Sequence, residues 1–270
     1  FRRSLQIRPD GNPPALAGIA AVAAAKHDFA DAESGARAAL AVNPLEPTAQ
    51  AILVDSLTEL GRYDEALVAA RRLDDTHPGL SSYTRLAYQE ELRGRVSEAL
   101  ALLALAADDA ATPSQAAFTR YQQGLLSLQS GDVTGAERSY AAGVAAAPDD
   151  LTLLQRRPTA TFAVEAAEVL DRVGARREAT DLIALAQAQL AVNRANGVEP
   201  EPSDVVLEAT HGDPATALQM AESLWSRQKG VFAADAYAVA LHAVGRDLEA
   251  LAYADRALAL GTTTPSLREH

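Results

Sequence analysis

Side chains that could do chemistry are few in this sequence, and they do not converge. The five histidines, His27, His77, His211, His242 and His270, stand far apart. Only His77, close behind Asp74 and Asp75, sets an imidazole beside carboxylates in a way that suggests metal ligation. A metal centre needs three or four converging ligands, and acidic residues before a proline-terminated helix end are ordinarily solvated. Asp74, Asp75 and His77 therefore read as a helix end. Cysteine is absent, which removes thiolate metal sites, thiol nucleophiles and any disulfide framework. The sequence also lacks a Gly-x-x-x-x-Gly-Lys phosphate loop, a Gly-x-Gly-x-x-Gly turn, a His-Glu-x-x-His pair and a Gly-x-Ser-x-Gly elbow. Without an acid, base and nucleophile set the expectation is no enzyme centre, no metal and no cofactor. Trp225, the one tryptophan, sits at an apolar-phase position and reads as core packing.

The elements that must position any functional side chain announce themselves by spacing. Thirty-four residues separate Pro44 from Pro78, Phe29 from Tyr63, Ala32 from Ala66 and Ala36 from Ala70. A helix-turn-helix of that length cannot bury its apolar face alone and must stack on copies of itself. Small residues such as Ala66, Ala99, Ala136 and Ala250 fall where the two helices of a pair cross, and they let the axes approach. Gly61 and Gly245 close first helices with a left-handed residue, a place taken by His27 in an earlier copy. Pro44, Pro78 and Pro148 lie beyond second helices, where helix continuation is blocked.

The copy from Pro47 to Leu80, with Leu53, Gly61-Arg62-Tyr63, Ala66 and Pro78, resembles the tetratricopeptide repeat (TPR) family. So do the stretch with Leu16, Phe29, Ala32, Ala36 and Pro44, and later ones with Gly94 and Ala99, Gly131 and Ala136, and Gly245 and Ala250. The resemblance implies an all-α fold, a right-handed α-solenoid of stacked antiparallel helix pairs with about seven repeats, running as a single solenoid over 1–270. Its expected divisions are the end of a truncated repeat at 1–12, regular repeats at 13–46, 47–79, 80–116 and 117–150, an irregular repeat at 151–197, repeats at 198–230 and 231–264, and the start of a further helix at 265–270. The irregularity comes from Gly131 and Gly174, which lie 43 residues apart, one period plus nine. Either an insertion or a lost stretch near Gln155-Arg156 accounts for it. The Gly- and Pro-rich run from Ala195 to Pro202 reads as a loop after a long helix over 176–194. Phrases such as Lys26-His27-Asp28-Phe29, and alanine and arginine in place of lysine, resemble uncharacterised bacterial TPR proteins from GC-rich genomes. That resemblance favours an exported or envelope-facing location over a cytoplasmic one.

Function enters through the same resemblance, which implies that the first helix of each pair lines a concave groove. The groove residues expected to meet a partner are Asp55, Glu59, Arg85, Tyr88, Tyr121, Leu125, Glu165, Glu168, Asp235 and His242. Chaperone-binding members hold a C-terminal carboxylate with Lys and Asn where this chain has Ala17, Ala21, Ala51 and Asp55, so an acidic C-terminal peptide is disfavoured. A net charge of −12 argues against nucleic acid, and no run of eighteen apolar residues is present to span a membrane. The expectation is a non-catalytic scaffold for a protein or peptide with basic and apolar groups. Its alternative is the repeat region of a larger enzyme or envelope-assembly complex whose active domain lies elsewhere. Self-association through unpaired terminal repeats is a further possibility.

Overall fold

The computed structural model describes residues 12–147, 176–262 and 267. Among these residues are thirteen α-helices, arranged as sequential antiparallel pairs. The chain divides into two compact units, Phe1–Leu153 with Leu260–Arg268, and Leu154–Ala259 with Glu269–His270. The possible lost stretch at Gln155-Arg156 and residues 1–11 of the expected truncated repeat lie outside the described residues.

The first unit holds four pairs: α1 (Pro13–Ala24) with α2 (Phe29–Val42), α3 (Pro47–Glu59) with α4 (Tyr63–Thr76), α5 (Leu80–Glu91) with α6 (Val96–Asp108), and α7 (Pro113–Gln129) with α8 (Val133–Ala146). Four of these helices start at a side-chain cap. Asn12, Asp28, Thr112 and Asp132 accept hydrogen bonds from backbone N–H groups of the first turns of α1, α2, α7 and α8, satisfying donors that a helix start leaves unpaired. The turns inside the pairs share one geometry. At the end of α3 the Arg62 N–H donates to the Leu57 carbonyl at 2.8 Å and the Gly61 N–H to the Thr58 carbonyl at 3.0 Å. Paired bonds of this kind close a helix through a left-handed residue. They recur after α5, through Arg95 to Glu90 and Gly94 to Glu91, and after α7, through Asp132 to Ser127 and Gly131 to Leu128. After α1 the left-handed residue is His27, with φ of 57° against 73° for Gly61, so the sequence departs from glycine there while the backbone keeps its path.

Packing follows the expected division of labour between small and large side chains. Ala66, Ala99 and Ala136 are fully or almost fully buried at the crossings, and Leu57, Leu73 and Leu92 fill space that alanine leaves. Leu103 is buried against Leu126 of the next pair, whereas Phe29, Leu60, Tyr63 and Tyr140 are only half-buried. Successive pairs meet where the second helix of one packs on the first helix of the next, and α1 also touches α3 and α3 touches α5, so these three first helices form one row. Polar bonds tie α5 and the turn after it to α3 and to the start of α4. Gln89 Nε2 donates to Thr58 Oγ1 at 2.8 Å, Thr58 donates to the Val54 carbonyl, and Arg93 donates to the Tyr63 carbonyl at 2.8 Å. Gln89 is 1% exposed, so these bonds answer a desolvation penalty that would otherwise oppose folding.

The second unit contains α9 (Arg176–Ala195), the pair α10 (Pro202–His211) and α11 (Pro214–Arg227), and the pair α12 (Val231–Ala243) and α13 (Asp247–Leu258). The stretch 196–201 between α9 and α10 is non-helical, as its glycine and prolines require. Leu190, Val205, Leu207, Leu224, Ala233 and Ala240 form one core across α9 to α12. The cap after α12 repeats the first unit's geometry, with Arg246 bonded to Leu241, Gly245 to His242, and Gly245 at φ 77°.

Candidate functional site

Two adjacent first helices, α3 and α5, build the candidate site. Asp55 and Glu59 are four residues apart on α3, and Arg85, Tyr88 and Glu91 follow at three-residue steps on α5, so each set shares one side of its helix. The structure brings the two sets together. Arg85 grips Asp55 with two parallel bonds, Nε to Oδ1 at 2.8 Å and Nη2 to Oδ2 at 2.7 Å. The same guanidinium donates through Nη1 to Ser81 Oγ at 2.7 Å, which fixes its fork on α5. Asp55 keeps 46% of its side-chain surface, so the pair is a rigid charge-neutral feature at the surface. Pairs this exposed contribute about 0.2–1 kcal/mol to stability. Geometry, more than energy, is what the pair supplies here.

Tyr88 lies beside this pair, half-buried. Burial pushes its phenol well above the ordinary range, with the negative charges of Glu59, Glu91 and Asp55 adding to the effect. Glu91, one turn further along α5, loses enough water that its carboxyl is pushed up to about 7. The result is a tyrosine ring with carboxyl groups around it, one of which changes charge near neutral pH. Glu91 escapes the sequence reading because a glutamate in the last turn of a helix is ordinarily solvated. Its only sequence signal is the three-residue step from Tyr88.

The remaining expected groove residues are placed differently. Tyr121 and Leu125 are half-buried on α7, and the Tyr121 ring packs on Tyr140 of α8 with centroids 5.8 Å apart. Tyr140 in turn covers Gly124, where an added Cβ would lie 2.5 Å from the ring. In the second unit Asp235 is 7% exposed, because α12 is packed by α10, α11 and α13 and little of its surface stays open. His242 is exposed, with Nδ1 2.8 Å from Asp247 Oδ1. Glu165 and Glu168 lie outside the described residues. His77, the sequence's candidate ligand, sits with Nδ1 3.0 Å from Thr76 Oγ1 and 3.3 Å from Gln50 Oε1. Among the described residues no three His, Asp or Glu side chains are grouped to hold a metal ion, and no helix is long and apolar enough to cross a membrane.

No protein-family model and no curated protein sequence matches this chain. Solved structures do. PilW, a widely conserved type IV pilus biogenesis factor, is 16% identical with a TM-score of 0.51, over 96% of this chain and 99% of its own. A human IFIT1 dimer with m7Gppp-AAAA is 16% identical with a TM-score of 0.52, over 97% of this chain and 66% of its own. A tetratricopeptide repeat protein from Parabacteroides merdae is 16% identical with a TM-score of 0.42, over 95% and 96%. At such identities the likeness is one of fold. The chain has the all-helical architecture of sequential antiparallel pairs found in tetratricopeptide repeat structures.

Proposed function

We propose that this chain is a non-catalytic scaffold that holds a protein or peptide partner against its row of first helices, with α3 and α5 as the anchoring surface. The observation that carries this reading is the juxtaposition of Tyr88 with Glu59, Glu91 and the Asp55–Arg85 pair. Tyrosine offers rigid contact area with a polar tip, the kind of side chain on which binding energy concentrates. Arg85 already neutralises Asp55, so selection of a basic partner falls to the carboxyl groups next to Tyr88. A lysine or arginine placed against Glu91 favours its ionised form, so binding strengthens as pH rises through about 7. Tyr121 and Leu125 extend the surface onto α7. Nothing on this face supplies a nucleophile activated by a base, which fits binding better than catalysis.

Affinity capture from the native host tests the reading, with the wild-type chain run beside a Tyr88→Ala, Tyr121→Ala variant. The expected result is a partner retained by the wild type and lost from the variant, with basic residues in the segment it contributes. Equal capture by both forms would place the interface elsewhere and sink the assignment.

A further inference from the structure

The second unit carries a cluster of another character, on residues that take no part in the face formed by α3 and α5. Trp225 near the end of α11, Tyr237 on α12 and Tyr253 on α13 meet as three rings. Trp225 stands edge-on to Tyr253 with centroids 5.1 Å apart, and Tyr237 lies 4.3 Å from Tyr253. Trp225 and Tyr237 rest against the core that includes Leu224, Ala233 and Ala236, yet all three rings stay half-exposed. Two cations lie over the indole. Lys229 Nζ is 4.4 Å from its centroid and Arg256 Cζ is 5.6 Å from it, both within the range of a cation–π contact.

Their neighbours make these two cations unusual. Arg246 is matched by Glu249 at 2.6 Å, and Arg227 is paired with Glu199. Lys229 and Arg256 have no carboxylate within ion-pair distance among the described residues and both are exposed, while the Lys229 ammonium also donates to the Trp225 carbonyl near the end of α11. One cation on an aromatic face is explained by the ring alone. Two on the same ring repel one another, and an anion between them relieves that repulsion. Lost water, and after it the charge of Arg256, hold the Lys229 ammonium below its ordinary range. Lys229 is one of only two lysines in a chain of net charge −12. Two cations over an aromatic floor are therefore set in an acidic molecule, with the charge of Glu222 felt at Tyr237.

We propose that Trp225, Tyr253, Lys229 and Arg256 form a second docking site, which takes an acidic and apolar segment of a protein partner. Its carboxylates sit between the two cations, and its apolar side chain covers the exposed ring edges. Two charges suffice for such a segment, whereas a nucleic acid requires a broad basic track that the acidic chain does not offer. The charge preference is opposite to that of the α3–α5 face, so the two sites discriminate between segments.

Trp225 is the only tryptophan, so its emission reports the site directly. The test presents the whole chain to a display library of short random peptides, beside a Lys229→Gln, Arg256→Gln variant that keeps the three rings. The expected peptides are retained by the wild type, lost from the variant, and carry Asp or Glu next to Leu or Phe. The most enriched tryptophan-free peptide, once synthesised, is expected to give a saturable change in Trp225 emission, with affinity weakened about tenfold in the variant and by added salt. Arg256→Lys keeps both charges and retains binding, which guards against a result that reflects misfolding. Tyr88→Ala with Tyr121→Ala leaves this binding unchanged and so separates the two sites. Equal retention by wild type and Gln variant, or enriched peptides without acidic residues, would overturn the proposal and leave the cations as caps on the indole.

Discussion

Glu91 is protonated half the time near neutrality because α5 and its neighbours strip water from a carboxyl that has gained no compensating charge. The consequence for stability has a definite sign. Below its ordinary value of 4.5 both folded and unfolded chains hold the proton and no penalty exists; as pH rises from there to about 7 the unfolded chain releases it first, so stability falls. Glu91→Gln removes the penalty. Thermal unfolding is expected to show the variant more stable by about 1–3 kcal/mol at about pH 8 and little changed at about pH 4. Equal stabilisation at both values would mean that the carboxyl is solvated. The place of Tyr88 on a first helix was legible from the repeat phase. The Asp55–Arg85 bond was not, because thirty residues separate the partners and no local pattern joins them. Asp235 shows the reverse failure: repeat phase put it on a first helix, while tertiary packing decided that its side chain is buried.

Elements were read more successfully than single side chains, for a physical reason. A left-handed residue after the first helix and a small residue at the crossing are requirements of backbone geometry, which leaves few residue types to choose from. Gly61, Gly94, Gly131 and Gly245 all have positive φ, and Ala66, Ala99, Ala136 and Ala250 are all buried. Half-buried side chains such as Tyr63 and Tyr140 are less constrained, because many shapes fill the same space. Gly124 belongs with the strict positions although its backbone is ordinary helix. It is required by the Tyr140 ring, which occupies the place of its missing Cβ and bridges α7 to α8. Gly124→Ala is expected to push Tyr140 off its seat and away from Tyr121, destabilising the pair by about 1–3 kcal/mol in denaturant unfolding. An unchanged midpoint would show that the ring moves aside freely.

At the scale of the molecule, helix pairs that touch mainly their neighbours make stability a sum of local terms. The two compact units then need not unfold together. In the Gly124→Ala chain the helical signal in circular dichroism is expected to begin its loss earlier, while the emission of Trp225, in the other unit, keeps its midpoint. A shift of both by the same amount would show one cooperative block. Periodicity made the architecture readable along most of the chain, since a repeat states its requirement several times over. A binding face is stated once, by residues that only the folded pairs bring together. Amide hydrogen exchange of the chain, free and with its captured partner, is the most direct measurement of whether that face binds. Protection concentrated in α3 and α5 and continuing onto α7 is the predicted result. Protection confined to second helices such as α4 and α6, with α3 and α5 unchanged, would contradict the account.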